Sequence, residues 1–398
     1  MSTAINWSAR VGTRVQSLQE YAPEPLEEIA ERLNLPVGQL IKLDANENPY
    51  GPTPHALEAL SAFHAQNRYP DPISRRLRRA IGGYLGMDAA HILVGNGSDE
   101  LIDLILRLFR PDSTRQRAAA ADNAQQDAAA TGIGQLLVCP PTFGMYEFYG
   151  ATNDLQVLSI PRAAAFAVDI DAIEALCADD PRPRIAFFAS PNNPDGALLP
   201  DATLERLLAL PLLVVLDEAY VEFSTSNEEA VCPSRARQVP AHENLIVLRT
   251  FSKWAGLAGL RVGYGVFPKA LVPALQRLKS PYNVNAIAQT AALATLEDLP
   301  QALVVVDKII AERERLLARL AEIPYLNVYA SQANYLLCRV HGLPMTRLCA
   351  AMERLGIILR YYEGPELGDC VRISVGTPMQ DEALLRVLRG LQQEERAS

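Results

Sequence analysis

The sequence predicts an α/β protein, with a mostly parallel seven-stranded sheet between helices and a smaller α+β domain after it. Three observations carry this. Between about residues 90 and 270, short apolar runs alternate with helical patterns, the rhythm of an open sheet covered on both faces. Several runs are continuously apolar, as strands buried on both faces are. A chain of 398 residues also exceeds one ordinary domain, so a large unit with a smaller companion is the natural division.

Residues 1–45 read as an N-terminal arm, punctuated by Pro23, Pro25 and Pro36, with one short helical stretch, PLEEIAERL. Residues 46–280 form the large domain. Its strand candidates are ILVG (92–95), QLLVC (135–139), LQVLSI (155–160), RIAFFAS (184–190), LLVVLD (212–217), LIVLRT (245–250) and RVGYGVF (261–267). Residues 112–134 are rich in Ala, Gln and Asp and lack an apolar face. They read as an exposed surface insertion. After Pro281 the pattern changes. Two helical runs lead to short strands LNVY, ANYLLCRV, GIILRYY and CVRISVG, so residues 281–398 form the small domain.

A net charge of −9 argues against nucleic acid as the main partner. The six cysteines are scattered without a C-x-x-C pair, and the five histidines show no ligand spacing. Neither a metal site nor a disulfide framework is expected, and a reducing, cytoplasmic setting fits. MSTAINWSARVGTR has no apolar run after its charges, so no secretory signal is expected. No stretch reaches 18 consecutive apolar residues, so no membrane span is expected either.

In open parallel sheets, ligands sit beyond the carboxyl ends of strands. The residues that follow each strand candidate are therefore the informative ones. GNGSDE (95–100) turns on Gly95 and Gly97, and the amides of Ser98 and Asp99 open a helix. Free N–H groups there can bind phosphate, though an ordinary strand-to-helix turn reads the same way. A dinucleotide fingerprint needs a third glycine where Glu100 stands. SPNNPDG (190–196) is a rigid turn from which Asn193 can present an amide. Asp217 closes an apolar strand, where a carboxylate needs a cationic partner. An arginine would serve, and so would a protonated pyridine nitrogen. Tyr220 follows three residues later.

The stretch LRTFSKWAGLAGLRVGYG (248–265) holds one of only five lysines, against thirty-two arginines. An amine beside a carbonyl cofactor forms a Schiff base. Thr250, Ser252 and Arg261 add donors for a phosphate, and the small residues between them let the chain pass close to a ligand. Taken in order, a phosphate turn, an aromatic, an Asn, Asp and Tyr, then Ser-Lys and Arg make a kit for pyridoxal phosphate, each piece starting at a strand end.

With these pieces the chain resembles the histidinol-phosphate aminotransferases, within fold type I of the PLP-dependent transferases. The resemblance rests on LDANENPYG (43–51), RYPD (68–71), GNGSDELID (95–103), PPTFGMY (140–146), SPNNPDG, VVLDEAYVEF (214–223), LRTFSKWAGLAGLRVGY and VRISVGT (371–377). It implies that Lys253 holds pyridoxal 5'-phosphate covalently and acts as general base. Asp217 would meet the pyridine nitrogen, Tyr220 and Asn193 the ring oxygen, and Phe143 would stack on the ring. Ser98, Asp99, Ser252 and Arg261 would hold the cofactor phosphate, joined by Tyr69 from the partner subunit of a homodimer. Arg372 would take the substrate's anionic end, with Arg360 sharing the substrate phosphate, and Tyr21 and Asn46 would line the entrance.

The chain departs from the family pattern at Asp195, where Thr is usual, and at Phe143, where Tyr is common. The first is expected to be turn chemistry. The second keeps stacking and loses a hydroxyl. The implied reaction exchanges an amino group between histidinol phosphate and 2-oxoglutarate, giving imidazole-acetol phosphate and glutamate. An aromatic amino-acid aminotransferase and a threonine-phosphate decarboxylase are the enzyme rivals. A PLP-binding regulator and an α/β protein without a cofactor stand outside enzymes.

Overall fold

The structure is a computed structural model. It describes residues 22–111, 133–224 and 234–397, together with Trp7, Ser8, Val11 and Leu18. The expected insertion falls almost wholly on 112–132, outside the described residues, and so does Tyr21.

Twelve strands are found among the described residues. In chain order they are β1 (Ile41–Leu43), β2 (Ile92–Gly95), β3 (Gln135–Val138), β4 (Gln156–Ser159), β5 (Arg184–Ala189), β6 (Leu212–Asp217), β7 (Leu245–Thr250), β8 (Gly263–Val266), β9 (Leu326–Val328), β10 (Tyr335–Val340), β11 (Ile357–Tyr361) and β12 (Cys370–Ser374). The large sheet runs β2-β8-β7-β6-β5-β3-β4. From β7 through β4 every pairing is parallel. Only β8, paired with β7 and β2, runs against its neighbours. All seven members were expected, and the sheet is mostly parallel, as expected.

The apolar runs work because both faces of the sheet are covered. Along β6 and β7, alternate residues enter two cores: Val214 and Val247 pack on one side, Val215 and Leu248 on the other. The edge strand β4 is the exception, with a partly exposed, polar-ended QVLS. Parallel strands that start together also end together, so Ala189, Asp217 and Leu248 share one level. The chain leaves the sheet there, and the residues that follow form one rim.

The small sheet runs β1-β11-β12-β10-β9. Strand β1 was not anticipated. Three residues of IKL, of which only Leu43 is buried, are too few to show a period. Ile41 to Leu43 nevertheless pair in parallel with Ile357 to Leu359 of β11. This anchor carries the next residues, Asp44 to Pro52, across to the rim of the large sheet.

Two buried arginines tie the rim to its surroundings. In the helix Leu299–Ala321, Arg313 donates through Nη1 to the carbonyls of Phe223 (2.9 Å) and Ala333 (3.1 Å). Behind the rim, Arg249 of β7 donates through Nη2 to Glu222 Oε1 at 2.7 Å and to Tyr84 Oη at 3.1 Å. Both members of the Arg249–Glu222 pair are buried. Removing one partner from such a pair costs far more than the pair itself contributes. Glu222→Ala is therefore expected to lower stability by about 3–5 kcal/mol, read as a lower denaturant midpoint. Glu222→Gln, which keeps an acceptor for Arg249, should fall between it and the parent chain.

Candidate active site

The lysine turn begins where β7 ends. Phe251 and Trp254 are buried and fix the turn, and Phe251 N–H donates back to the Val262 carbonyl at 3.1 Å. Gly256, at φ +67°, lets the turn lie against the 44–52 strap. A Cβ there would sit 2.4 Å from the carbonyl carbon of Gly51. Lys253, partly buried, donates through Nζ to the Ala45 carbonyl at 2.9 Å and lies 5.9 Å from the centre of the Tyr220 ring. Burial, and then the nearby Arg372 charge, bring its pKa down to about 8.

Asp217 terminates β6 with 5% exposure. Its Oδ2 accepts from Tyr146 Oη at 2.8 Å and its Oδ1 from the Ala219 N–H at 3.1 Å. Burial pulls its pKa up to about 6, and these two donors hold it from rising further. The arginine that would have explained Asp217 structurally is not found among the described residues. The carboxylate keeps a charge to share with a ligand.

Tyr220 accepts through Oη from Asn46 Nδ2 at 3.0 Å. Asn46 itself is buried, with φ +54°. Its Oδ1 accepts from Ser374 Oγ at 3.0 Å, and its carbonyl from Asn334 at 2.9 Å. Expected to line the entrance, it braces the tyrosine. Asn193 accepts through Oδ1 from Arg372 Nη1 at 2.6 Å. The Arg372 Nη2 donates to the Asp44 carbonyl at 2.5 Å, while its buried Nε has no partner. Directly opposite on β11 stands Arg360, so both side chains leave the same face of the sheet. Arg360 is exposed and lies 5.8 Å from the Tyr362 ring centre.

The turn expected to receive a phosphate lies where β2 gives way to the helix Gly97–Phe109. The first-turn amides, Ser98 and Asp99 among them, have no partner inside the helix. Arg261, left-handed at φ +53°, donates through Nη2 to Asp99 Oδ2 at 2.8 Å. Thr250 Oγ1 accepts from the Ser252 N–H and donates to Ser252 Oγ at 2.9 Å, which leaves the Ser252 proton free to point elsewhere. Only glycine fits around this turn. A Cβ on Gly97 would lie 2.6 Å from Arg261 Nη2, and one on Gly263 would lie 2.8 Å from the Ser98 nitrogen.

This donor set fits pyridoxal 5'-phosphate: an anion cup, a buried carboxylate without a cation, and a lysine of lowered pKa lie on one rim. Phe143 is partly buried, edge-on to Tyr146 with centroids 5.5 Å apart. Tyr69 stands 82% exposed, stacked on Tyr282 at 4.5 Å. Asp195 is buried in its turn, accepting from Asn192 Nδ2 and from the Ala197 N–H at 2.9 Å. Its side chain holds the turn, as the sequence suggested.

Two contributors escaped the sequence reading. Tyr146 reads as one more core aromatic in PPTFGMY, and nothing in the residue order points it at Asp217. The strap carbonyls of Asp44 and Ala45 carry no side-chain signal at all.

Comparison with known proteins agrees with this geometry. A protein named histidinol-phosphate aminotransferase from Roseiflexus castenholzii is 45% identical over 94% of this chain and 96% of its own length. A chloroplastic protein of the same name from Nicotiana plumbaginifolia is 42% identical over 97% of this chain and 87% of its own. A solved histidinol-phosphate aminotransferase from Sinorhizobium meliloti, in complex with pyridoxal-5'-phosphate, superposes with a TM-score of 0.79. It is 25% identical and covers 98% of this chain and all of that one. The family model for aminotransferase class I and II matches residues 38–389, and this chain belongs to that pyridoxal-phosphate-dependent family.

Proposed function

We propose that this chain exchanges an amino group between L-histidinol phosphate and 2-oxoglutarate, yielding imidazole-acetol phosphate and glutamate in histidine biosynthesis. The carrying observation is the buried Arg372, with an unpartnered Nε, set opposite Arg360 and bonded to Asn193 at the rim that holds Lys253. Two guanidinium forks suit both a phosphate monoester and a dicarboxylate. The names of the relatives at 42–45% identity support the same substrate.

In this reading Ser98, Asp99, Ser252 and Arg261 hold the cofactor phosphate, and Phe143 packs on the ring. Bound pyridoxal 5'-phosphate supplies an electron sink for the substrate's Cα. Asp217 keeps a negative charge at the ring nitrogen. Tyr220 and Asn193 donate to the ring oxygen. Lys253, once its Nζ is free and neutral, removes the Cα proton and returns it on the other side of the transfer. Arg372 and Arg360 hold the substrate's anion, and Tyr21 lines the entrance. The functional unit is a cytoplasmic homodimer in which Tyr69 of the partner subunit completes the phosphate cup. The exposed Tyr69 and the free thiols of Cys139, Cys177, Cys338, Cys349 and Cys370 favour this.

Half-reactions with each amine test the substrate. Histidinol phosphate should convert the cofactor to its amine form far faster than phenylalanine does, and threonine phosphate should release no carbon dioxide. Arg372→Ala should cost about 100-fold in kcat/KM for histidinol phosphate, the scale of losing one buried charged contact. Equal turnover of phenylalanine would overturn the assignment. The lysine makes a separate prediction. Uptake of pyridoxal 5'-phosphate by the cofactor-free chain should speed up with pH, because only the neutral amine reacts. It should level off above about 8, whereas an ordinary lysine would keep gaining to about 10.4. For the dimer, Lys253→Ala and Tyr69→Phe chains mixed and reassembled should regain activity that neither has alone. No recovery would remove the shared site.

A further inference from the structure

Tyr146 is a group the mechanism above does not use. It lies on the helix Met145–Thr152 that follows β3. It is fully buried, stacked on Phe187 with ring centres 4.9 Å apart. A buried phenol must find a partner for its hydroxyl. Here the partner is Asp217 Oδ2, at 2.8 Å. The other carboxylate oxygen takes the Ala219 N–H.

We infer that Tyr146 is a positioning residue for the cofactor ring, acting through Asp217 by holding its carboxylate ionised and aimed. The inference rests on the proposed pyridoxal-phosphate site. A carboxylate in an apolar setting resists ionisation, and a donor to its charged form offsets that. The charged groups around the pair are few. Asp99 and Glu218 oppose ionisation of Asp217, while Tyr220 and Arg162 act on the Tyr146 phenol in opposite senses. The Tyr146 hydrogen bond therefore has a large share in setting how strongly Asp217 competes for a proton. Without it, Asp217 becomes the stronger base, and a ring nitrogen sharing that proton carries less positive charge. A less positive ring depresses the proton affinity of the Lys253 nitrogen less.

The test is Tyr146→Phe in the holoenzyme, which keeps the ring stack and deletes only the hydroxyl. The pH midpoint of the bound cofactor's absorbance change should rise by about one unit. The kcat should fall about 10-fold, the scale of one hydrogen bond to a charge, with KM for the amine within about twofold, since Tyr146 meets no substrate. Phe187→Leu loosens the same packing and leaves the hydroxyl, so it should lower thermal stability and leave the midpoint alone. A midpoint unmoved in Tyr146→Phe, or moved equally by Phe187→Leu, overturns the inference and leaves the function standing. A parent chain that takes up no cofactor overturns both.

Discussion

A carboxylate sealed at the end of a central strand is the constraint around which this molecule is arranged. Asp217 sits at the level where the parallel strands stop, flanked by Ala189 and Leu248. Its two oxygens are met by a phenol and a backbone amide, not by a cation. Such a group is costly in a folded chain unless a ligand repays the loss of water. The same burial that makes Asp217 expensive makes its charge effective on whatever cation arrives, because little solvent remains to screen it.

The second requirement is to hold an amine on the same rim, near Tyr220, and the solution joins both sheets. Strand β1 is part of the small sheet, yet the residues it delivers complete the rim of the large one. The Ala45 carbonyl receives Lys253, the Asp44 carbonyl receives Arg372, and Asn46 braces Tyr220. Backbone carbonyls satisfy a protonated amine without fixing it covalently, so the lysine can be held and later released. Gly256 passes the Gly51 backbone too closely to carry a side chain of its own, which keeps strap and lysine turn in register.

Much of this was legible in the residue order because strand ends are informative places. A run such as LLVVLD must bury both faces, and its final Asp then demands an explanation. Lys253 stood out for the same reason, as a scarce amine after an apolar strand. The strand-to-helix turn at Gly97 and Ser98 was readable, since a glycine at such a turn frees amides. What stayed hidden depends on through-space geometry. Tyr146 shares its residue type with many core aromatics, and only the packed helix aims its hydroxyl. Strand β1 is too short to show a period. Asn46 looks like a loop residue in NENPYG, whereas the left-handed backbone at that position buries it.

In the proposed reading, Arg372 makes substrate and cofactor recognition one problem. A guanidinium can only donate, so the Asn193 atom facing it has to be the oxygen. That choice forces the Asn193 nitrogen to the other side as a donor, which is the polarity a ring oxygen requires. Two of the arginine's nitrogens are spent on Asn193 and Asp44, and these bonds fix the plane of the fork. The third, Nε, is buried without a hydrogen-bond partner, a donor that an arriving anion would satisfy. An anion at Nε therefore draws on a group already tied to the cofactor's side and to the strap that holds Lys253. The strap that receives Lys253 and the turn that carries Asn193 are thus linked through one side chain, and on the proposed function a ligand without an anionic end would leave that link incomplete.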